Sequence, residues 1–104
     1  MKSLCIVMPV LDEGAELTRR LPHLDGLRAR GAELVVVDGG SSDATWAVAC
    51  RYADRVLLAP RGRGAQMNAG AAGSTSDVIL FLHADTRLPC DADRLIRAAV
   101  ETGA

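Results

Sequence analysis

Four short and almost uninterrupted aliphatic runs limit what this chain can fold into. They are rich in Val, Ile and Leu and are bounded by Gly, Pro, Asp or Ser, a pattern typical of strands that are covered on both faces. The runs occupy residues 4–10, 33–38, 55–59 and 77–83. Because buried strands of this kind belong to parallel sheets, the segments between them are expected to be crossover helices.

The segments between the runs carry the patterns of helices. Four leucines recur every three or four residues in the first one, which predicts a helix with one apolar face: Leu17, Leu21, Leu24 and Leu27. Pro22 within that stretch predicts a kink or two shorter helices, and Gly31 a C-terminal stop. The order βαβαβαβα predicts an α/β protein with a Rossmann-like, doubly wound, mainly parallel four-stranded sheet.

Three further helices are expected from local signals. Ser41–Asp43 can cap the second helix through a hydroxyl or carboxylate. The third helix, at about residues 64–73, is built from small residues and is therefore expected to lie very close to its neighbour; Gln66 and Asn68 face the ligand site if the helix begins there. The fourth is expected after Pro89, with its aliphatic side chains directed inward: Leu95, Ile96, Ala99 and Val100.

Composition excludes several classes of protein. With 104 residues, 49% of them hydrophobic, the chain is expected to be one globular domain over residues 1–104. The net charge of −1 argues against a nucleic-acid partner, and no apolar run approaches the roughly 20 residues that span a bilayer. Cys5, Cys50 and Cys90 are odd in number, without metal-binding spacing, and predict a reducing, cytoplasmic location.

Chemistry is expected beyond the carboxyl ends of the strands. After the first strand, Pro9 and Glu13 either line a nucleotide pocket or belong to a simple helix cap. Asp38 ends the second strand before two glycines, which suits an acid that hydrogen-bonds a base or ribose better than it suits a turn. A glycine-rich phosphate fingerprint is missing after the first strand, which disfavours a dinucleotide dehydrogenase or a methyltransferase.

The third and fourth strands are followed by groups that suit a diphosphate and a cation. Arg61 and Arg63 stand among glycines before a helix and either bind an anion or belong to a solvated turn. Asp85 is a candidate ligand for a divalent cation, and His83 either binds a softer ion such as Mn²⁺ or hydrogen-bonds a ribose. Asp91 and Asp93 form a second acidic pair, which we interpret as capping of the last helix.

Taken together, these motifs resemble a family-2 glycosyltransferase with a GT-A fold. The matching stretches are IVMPVLDE at residues 6–13, VVDGGSSD at residues 36–43 and FLHADT at residues 81–86. The segment RGRGAQMNAG at residues 61–70 is similar to a bacterial subgroup, the radical-SAM/selenodomain-associated transferases. The resemblance covers essentially the whole chain.

The resemblance implies a nucleotide-diphospho-sugar donor and a divalent metal, Mn²⁺ or Mg²⁺. It assigns Asp38 to the nucleotide base, Pro9 and Glu13 to the same pocket, and Asp85 to the metal. His83 stands where the first acid of the family's DxD motif is usual. The acceptor is left open, one at a membrane surface included.

Family members are longer than this chain, so the resemblance identifies it with the N-terminal, donor-binding half of the fold. No general base is assigned within it. Two functions follow as alternatives, a glycosyltransferase or its donor-binding portion, and a non-catalytic fragment that binds the donor without transferring it. A half-domain of this kind would leave an open sheet edge, so self-association is expected, with a dimer that covers this edge as one form.

Overall fold

The core of the molecule is a four-stranded, entirely parallel β-sheet. The structure, a computed structural model, describes residues 2–102. The strands are β1 (Leu4–Val10), β2 (Glu33–Asp38), β3 (Arg55–Leu58) and β4 (Val78–Phe81), arranged in the order β3-β2-β1-β4. The register pairs Val10 of β1 with Asp38 of β2, so the two central strands end side by side. The predicted α/β, Rossmann-like, parallel four-stranded sheet is confirmed.

The helices alternate with the strands as expected. They are α1 (Gly14–Arg20), a 3₁₀ turn (Leu21–Leu24), α2 (Asp25–Ala29), α3 (Thr45–Tyr52), α4 (Arg63–Ala72) and α5 (Ala92–Glu101). Pro22 lies in the 3₁₀ turn that separates α1 from α2, which confirms the expected break. Gly31 follows α2 with a φ of 99°, a conformation that favours glycine, and ends this helical segment.

Apolar side chains cover the two faces of the sheet unequally. One face packs Ile6, Met8 and Leu34 against the leucines of α1, the 3₁₀ turn and α2. The other face holds a smaller cluster that includes Val7 and Val37 and is covered by α4. The expected close approach of this small-residue helix is confirmed at Gly70, where an added Cβ would lie 2.3 Å from a methyl group of Val7.

Helix α5 departs from the expected inward face. Leu95 is 58% exposed and Ala99 is exposed as well, whereas Ile96 and Val100 are partly buried. The face that is turned inward instead carries Asp93 and Arg97, both buried. The prediction was wrong for Leu95 and Ala99 because an ion-paired cluster, and not an aliphatic stripe, occupies much of the inward side of this helix.

Two further observations concern membrane-spanning helices and the state of the cysteines. Within residues 2–102, no helix is long and apolar enough to cross a membrane. Cys5 is buried, Cys50 and Cys90 are exposed, and all three are free thiols. Burial raises the pKa of the Cys5 thiol, so it behaves as a small core residue.

Candidate functional site

Two adjoining cavities lie at the carboxyl ends of the strands. One, of about 270 Å³, is lined by Pro9, Glu13, Arg63, His83, Ala84 and Asp85. The other, of about 190 Å³, is lined by Pro9, Val10, Leu11, Glu13, Arg61, Gly62, Arg63 and Gln66. Because the two cavities share Pro9, Glu13 and Arg63, we treat them as one cleft. Among the residues that the sequence placed at the ligand site, Asp38 and Asn68 do not line this cleft, and the others do.

Asp38 lies at the end of β2 and is only 2% exposed. Its Oδ1 atom accepts hydrogen bonds from the backbone N–H of Gly40 at 3.1 Å, the backbone N–H of Ser41 at 2.9 Å and the Ser41 hydroxyl at 2.6 Å. Its Oδ2 atom makes no hydrogen bond within residues 2–102 and is not fully enclosed. Asp38 therefore orders the loop after β2 with one oxygen and keeps the other as a free acceptor.

The loop between β1 and α1 is tied to the loop after β2. Asp12 has a φ of 50°; its carboxylate accepts the Ser42 N–H at 2.7 Å, and its own N–H donates to the Ser41 hydroxyl at 2.8 Å. Glu13 donates its N–H to the Thr45 hydroxyl at 2.8 Å. These contacts hold the two loops together at the mouth of the cleft.

The carboxylate of Glu13 lines the cleft and does not cap α1. Its Oε1 atom accepts the N–H of Leu11 at 3.0 Å, and its side chain makes no capping hydrogen bond to α1. Of the two interpretations of this loop, a simple helix cap is therefore wrong for the Glu13 side chain. Glu13 is positioned instead by a local turn that directs it to the cleft.

Asp43 performs the capping that was expected before α3. Its Oδ1 atom accepts the N–H of Thr45, the first residue of the helix, at 2.9 Å and also the Thr45 hydroxyl. Its Oδ2 atom accepts the N–H of Gly14 at 3.3 Å. The hydrogen bonds from Thr45 hold the pKa of the Asp43 carboxyl below its usual range, so this link between α1 and α3 is charged at neutral pH.

Gln66 contributes to the cleft from α4. Its side chain is 4% exposed, and its amide contacts the ends of both central strands and the turn before its own helix. Asn68, two residues further along, is exposed and is not among the residues that line the cleft. The expectation from the sequence was correct for Gln66 and wrong for Asn68, because α4 turns the latter toward solvent.

His83 and Asp85 reach the cleft from the segment that follows β4. The N–H of Leu82 donates to Val7 of β1 at 3.0 Å, and the N–H of Thr86 donates to His83 at 3.0 Å. Both site residues are exposed, and neither side chain makes a hydrogen bond within residues 2–102. They are therefore free to contact a ligand.

The cleft can supply only part of the ligands of a divalent cation. In the part of the chain that the structure describes, no group of three or more His, Cys, Asp or Glu residues lies close enough together to hold a metal. Asp85 and His83 can supply one or two ligands, and hard cations such as Mg²⁺ are commonly held by one or two carboxylates plus substrate phosphates. The residues present therefore fit a cation that is completed by a bound diphosphate.

The second acidic pair is not a metal site. Asp93 is fully buried, and its carboxylate receives hydrogen bonds from Arg30 at 2.7 and 2.9 Å and lies 3.4 Å from Arg97. The Arg30 guanidinium lowers the pKa of Asp93 to about 2. It was correct not to take this pair as metal ligands from the sequence. The interpretation of the pair as a helix cap was wrong, because Asp91 and Asp93 make no capping hydrogen bond at α5.

The fold and the cleft define an α/β protein with a cleft, lined by acidic and basic side chains, beyond the carboxyl ends of a parallel sheet. Similarity to known sequences identifies the family of the chain. The family model described as glycosyl transferase family 2 matches residues 5–104, and the chain belongs to this family.

Individual proteins are similar to this chain over nearly its whole length. An uncharacterised glycosyltransferase of Mycobacterium bovis is 31% identical over 101 residues, which make up 95% of this chain and 44% of that protein. The chain thus spans less than half the length of this relative.

Solved structures show the same fold. Residues 1–349 of TarS from Staphylococcus aureus superimpose with a TM-score of 0.83 at 18% identity, covering 96% of this chain and 32% of that fragment; the same fragment has also been solved with UDP-GlcNAc. Glucosyl-3-phosphoglycerate synthase of Mycobacterium tuberculosis, solved with Mn²⁺ and UDP, gives a TM-score of 0.76 at 20% identity, covering 95% of this chain and 39% of the synthase.

Proposed function

We propose that residues 1–104 are the donor-binding part of a glycosyltransferase that moves a sugar from a nucleotide-diphospho-sugar to an acceptor hydroxyl. The observation that carries the proposal is the convergence of acidic and basic side chains from three separate segments on one cleft. Membership of glycosyl transferase family 2 supports it. TarS with UDP-GlcNAc and the mycobacterial synthase with UDP and Mn²⁺ support a donor of this chemical class.

Each predicted residue has a role in this proposal. Asp38 contacts the nucleotide base through its free Oδ2 atom, and Pro9 and Glu13 form the adjoining side of the pocket. Arg61 and Arg63 bind the diphosphate, since guanidinium groups form charge-assisted hydrogen bonds to phosphate oxygens. His83 hydrogen-bonds the ribose, in a place where a carboxylate is usual in the family.

A divalent cation, Mn²⁺ or Mg²⁺, is part of the proposal. Asp85 would hold it, and the bound cation would neutralise negative charge on the diphosphate. The donor set described above leads us to expect that the cation binds weakly to the protein alone and much more tightly with the nucleotide present.

The reaction we propose is a substitution at the anomeric carbon. An oxygen of the acceptor hydroxyl forms a bond to this carbon, the bond to the diphosphate oxygen breaks, and the electron pair leaves with the nucleoside diphosphate. Arg61 and Arg63 stabilise the charge that develops on the leaving group. The acceptor and the group that takes the hydroxyl proton are not assigned.

A second candidate is donor binding without transfer. It concerns residues 1–104 by themselves, since the matched region is 44% of the length of the mycobacterial relative. Transfer or hydrolysis of a donor by this chain would contradict the binding-only function.

Calorimetric titration with UDP-, GDP- and dTDP-sugars, each with and without Mn²⁺, tests the proposal. We expect one donor to bind, Asp38→Ala to weaken it in either condition, and Asp85→Ala to weaken it only with Mn²⁺ present. Asp91→Ala is the control, because Asp91 is exposed and makes no side-chain hydrogen bond within residues 2–102. If no nucleotide sugar binds the wild-type chain, the donor site is wrong.

Three further assignments rest on narrower grounds. We propose that the chain falls in the radical-SAM/selenodomain-associated subgroup, on the segment at residues 61–70. A cytoplasmic location is proposed from the three free thiols. Self-association is proposed because β4 pairs with β1 alone among the described strands and Phe81 is 46% exposed.

Light scattering of the wild-type chain and of Phe81→Lys tests the self-association. We expect an oligomer for the former and a monomer for the latter. Leu58→Lys is the matched control, because Leu58 is 69% exposed on the opposite edge strand, β3. A wild-type chain that stays monomeric at high concentration would contradict the proposal.

A further inference from the structure

Both N–H donors and the carbonyl oxygen of the Gln66 side-chain amide form hydrogen bonds within the protein. Its Nε2 atom donates to the carbonyl oxygen of Val10 at 2.9 Å and to that of Val37 at 2.8 Å. Its Oε1 atom accepts the backbone N–H of Gly62 at 3.2 Å. An amide has two N–H donors and one carbonyl acceptor, so all three functional elements are engaged in a side chain that is only 4% exposed.

These three bonds join three separate pieces of the cleft. Val10 ends β1, Val37 lies one residue before the end of β2, and Gly62 immediately precedes α4. The two strands diverge into different loops at this level. The carbonyl of Val10 already accepts the backbone N–H of Gly39 at 3.0 Å, so Gln66 adds a second hydrogen bond to it. Gln66 thus ties the ends of β1 and β2 to the turn at Gly62.

The amide packs closely against the loop after β2. A Cβ atom added at Gly39 would lie 2.8 Å from the Oε1 atom of Gln66 and 3.2 Å from its Nε2 atom. Gly62 has a φ of 140°, a conformation that L side chains rarely adopt. Two glycines thus permit the contact of the amide with the loop after β2 and with the turn before α4.

The turn held by Gln66 is the one that carries the two arginines. Arg61 and Arg63 flank Gly62, and both line the cleft. The backbone N–H of Gln66 also donates to the carbonyl of Gly62 at 2.9 Å, so this glycine is bonded to Gln66 through both of its backbone polar groups. The backbone at Gly62, between the two arginines, is therefore held by Gln66.

We infer that Gln66 is a positioning residue for the donor: it orients the Arg61–Gly62–Arg63 turn against the ends of β1 and β2 so that both guanidinium groups meet the diphosphate. Gln66 acts through these neighbours and needs no contact with the ligand. The inference rests on the proposed donor-binding function and adds to it the group that pre-organises the diphosphate side of the cleft.

Three substitutions test this role. Gln66→Met keeps the volume of the side chain and removes all three hydrogen bonds. Gln66→Glu keeps the shape but, as a carboxylate, cannot donate to the two carbonyl groups; protonation returns one donor. Gly39→Ala leaves Gln66 in place and displaces its amide by contact. Gly26→Ala is the control, because its Cβ would meet only the far end of the Arg30 side chain, at 3.5 Å.

Donor affinity is measured by calorimetry at a temperature at which each variant is fully folded. We expect Gln66→Met and Gly39→Ala to weaken donor binding about tenfold or more, and Gly26→Ala to leave it unchanged. Gln66→Glu should bind weakly at pH 7.5 and recover part of its affinity at pH 5, relative to the wild-type chain at each pH. A role in packing alone would not produce this recovery.

Two results overturn the inference. One is a donor affinity of Gln66→Met within twofold of that of the wild-type chain; the other is a pH profile of Gln66→Glu that matches the wild-type profile. If the wild-type chain binds no donor, the proposed function fails, and amide relaxation of Arg61–Arg63 by NMR then decides the role of Gln66. A turn that is equally rigid in the wild-type chain and in Gln66→Met would reject it.

Discussion

The two walls of the cleft are built in different ways. The inner wall comprises residues 9–13 and the first turn of α4, which line the cleft, together with residues 38–45, which hydrogen bonds tie to them. Apart from Arg63, its polar side chains bond to one another or to the backbone. The outer wall is the segment at residues 82–91, between β4 and α5. No side chain of this segment makes a hydrogen bond within residues 2–102. The inner wall is thus pre-organised, whereas the side chains of the wall that carries Asp85 are not.

The outer wall is held at its two ends. The N–H of Leu82 bonds to β1 at 3.0 Å. At the other end, Arg30 donates to the carbonyl of Cys90 at 2.6 Å and to the buried carboxylate of Asp93. Between these ends, Ala84 is buried in the core and Leu88 packs against it. Ordering of the exposed His83 and Asp85 side chains is therefore expected to come from the ligand, and the cost of this ordering lowers the affinity of the empty site. Four predictions test this difference between the walls.

The largest effect is expected from loss of the anchor at Asp93. Asp93→Ala leaves Arg97, whose side chain is 9% exposed, without its acidic partner. Removing one partner of a buried ion pair destabilises a protein by about 3 kcal/mol. Urea unfolding measures the change, with Asp91→Ala as control on the same helix turn. A loss below about 0.5 kcal/mol, the range of ordinary surface substitutions, would show that the anchor is not at Asp93.

Acid should weaken the same anchor without any substitution. The pKa of Asp93 in the folded chain is about 2, against a usual value of 3.8, because Arg30 donates to its carboxylate. The unfolded chain thus binds a proton at higher pH than the folded chain, and stability falls as pH decreases from about 4 to 2. Asp43, Asp54 and Asp77 shift in the same direction and add to the slope.

This dependence is measured by urea unfolding at a series of pH values between 2 and 6. Asp93→Asn should reduce the slope below pH 4 and leave the region above pH 5 flat. The same slope in Asp93→Asn as in the wild-type chain would mean that other carboxylates carry the whole of the acid sensitivity.

The sequence predicted the central strands better than the edges. The bounds of β1 and β2 agree with those expected, because both strands are buried and paired on each side. The third and fourth runs, expected at residues 55–59 and 77–83, end earlier as strands, at Leu58 and Phe81. Each of these edge strands has one partner within the described sheet. Its pairing ends with one last hydrogen bond, from the N–H of Ala59 to Asp38 and from the N–H of Leu82 to Val7.

The site was predictable in its components but not in its connections. A polar residue after a buried strand points to the carboxyl edge of the sheet, and this placed Glu13, Arg63 and Asp85 correctly in one cleft. The pairing of Arg30 with Asp93 links residues 63 positions apart. Periodicity describes which face of one helix is apolar, and it carries no information on which charged groups of two helices meet.

An intermediate effect is expected from Asp12 on the inner wall. Asp12→Ala removes the hydrogen bond to Ser42 and places alanine at a φ of 50°, a region that Asp and Asn tolerate better. The expected loss of stability is about 1–2 kcal/mol. Asp12→Asn keeps an acceptor oxygen and the backbone preference, so it should lose less than half as much. Equal losses in the two variants would assign the effect to charge and not to the bond between the loops.

The smallest effect on stability is expected at Asp85 on the outer wall. Asp85 is exposed and makes no side-chain hydrogen bond within residues 2–102, so Asp85→Asn should change the free energy of unfolding by less than about 0.5 kcal/mol. Asp38→Asn on the inner wall keeps its size but places an NH₂ group or a weaker acceptor toward the N–H groups of Gly40 and Ser41. It should therefore cost about 1–2 kcal/mol in the absence of any ligand.

Urea unfolding of both variants without ligand, followed by donor titration with and without Mn²⁺, separates the two walls. We expect Asp38→Asn to lower both stability and donor affinity, and Asp85→Asn to abolish only the gain in affinity that Mn²⁺ provides. An Asp85→Asn chain as unstable as Asp38→Asn would mean that the outer wall is ordered before the ligand arrives, and the difference between the walls would disappear.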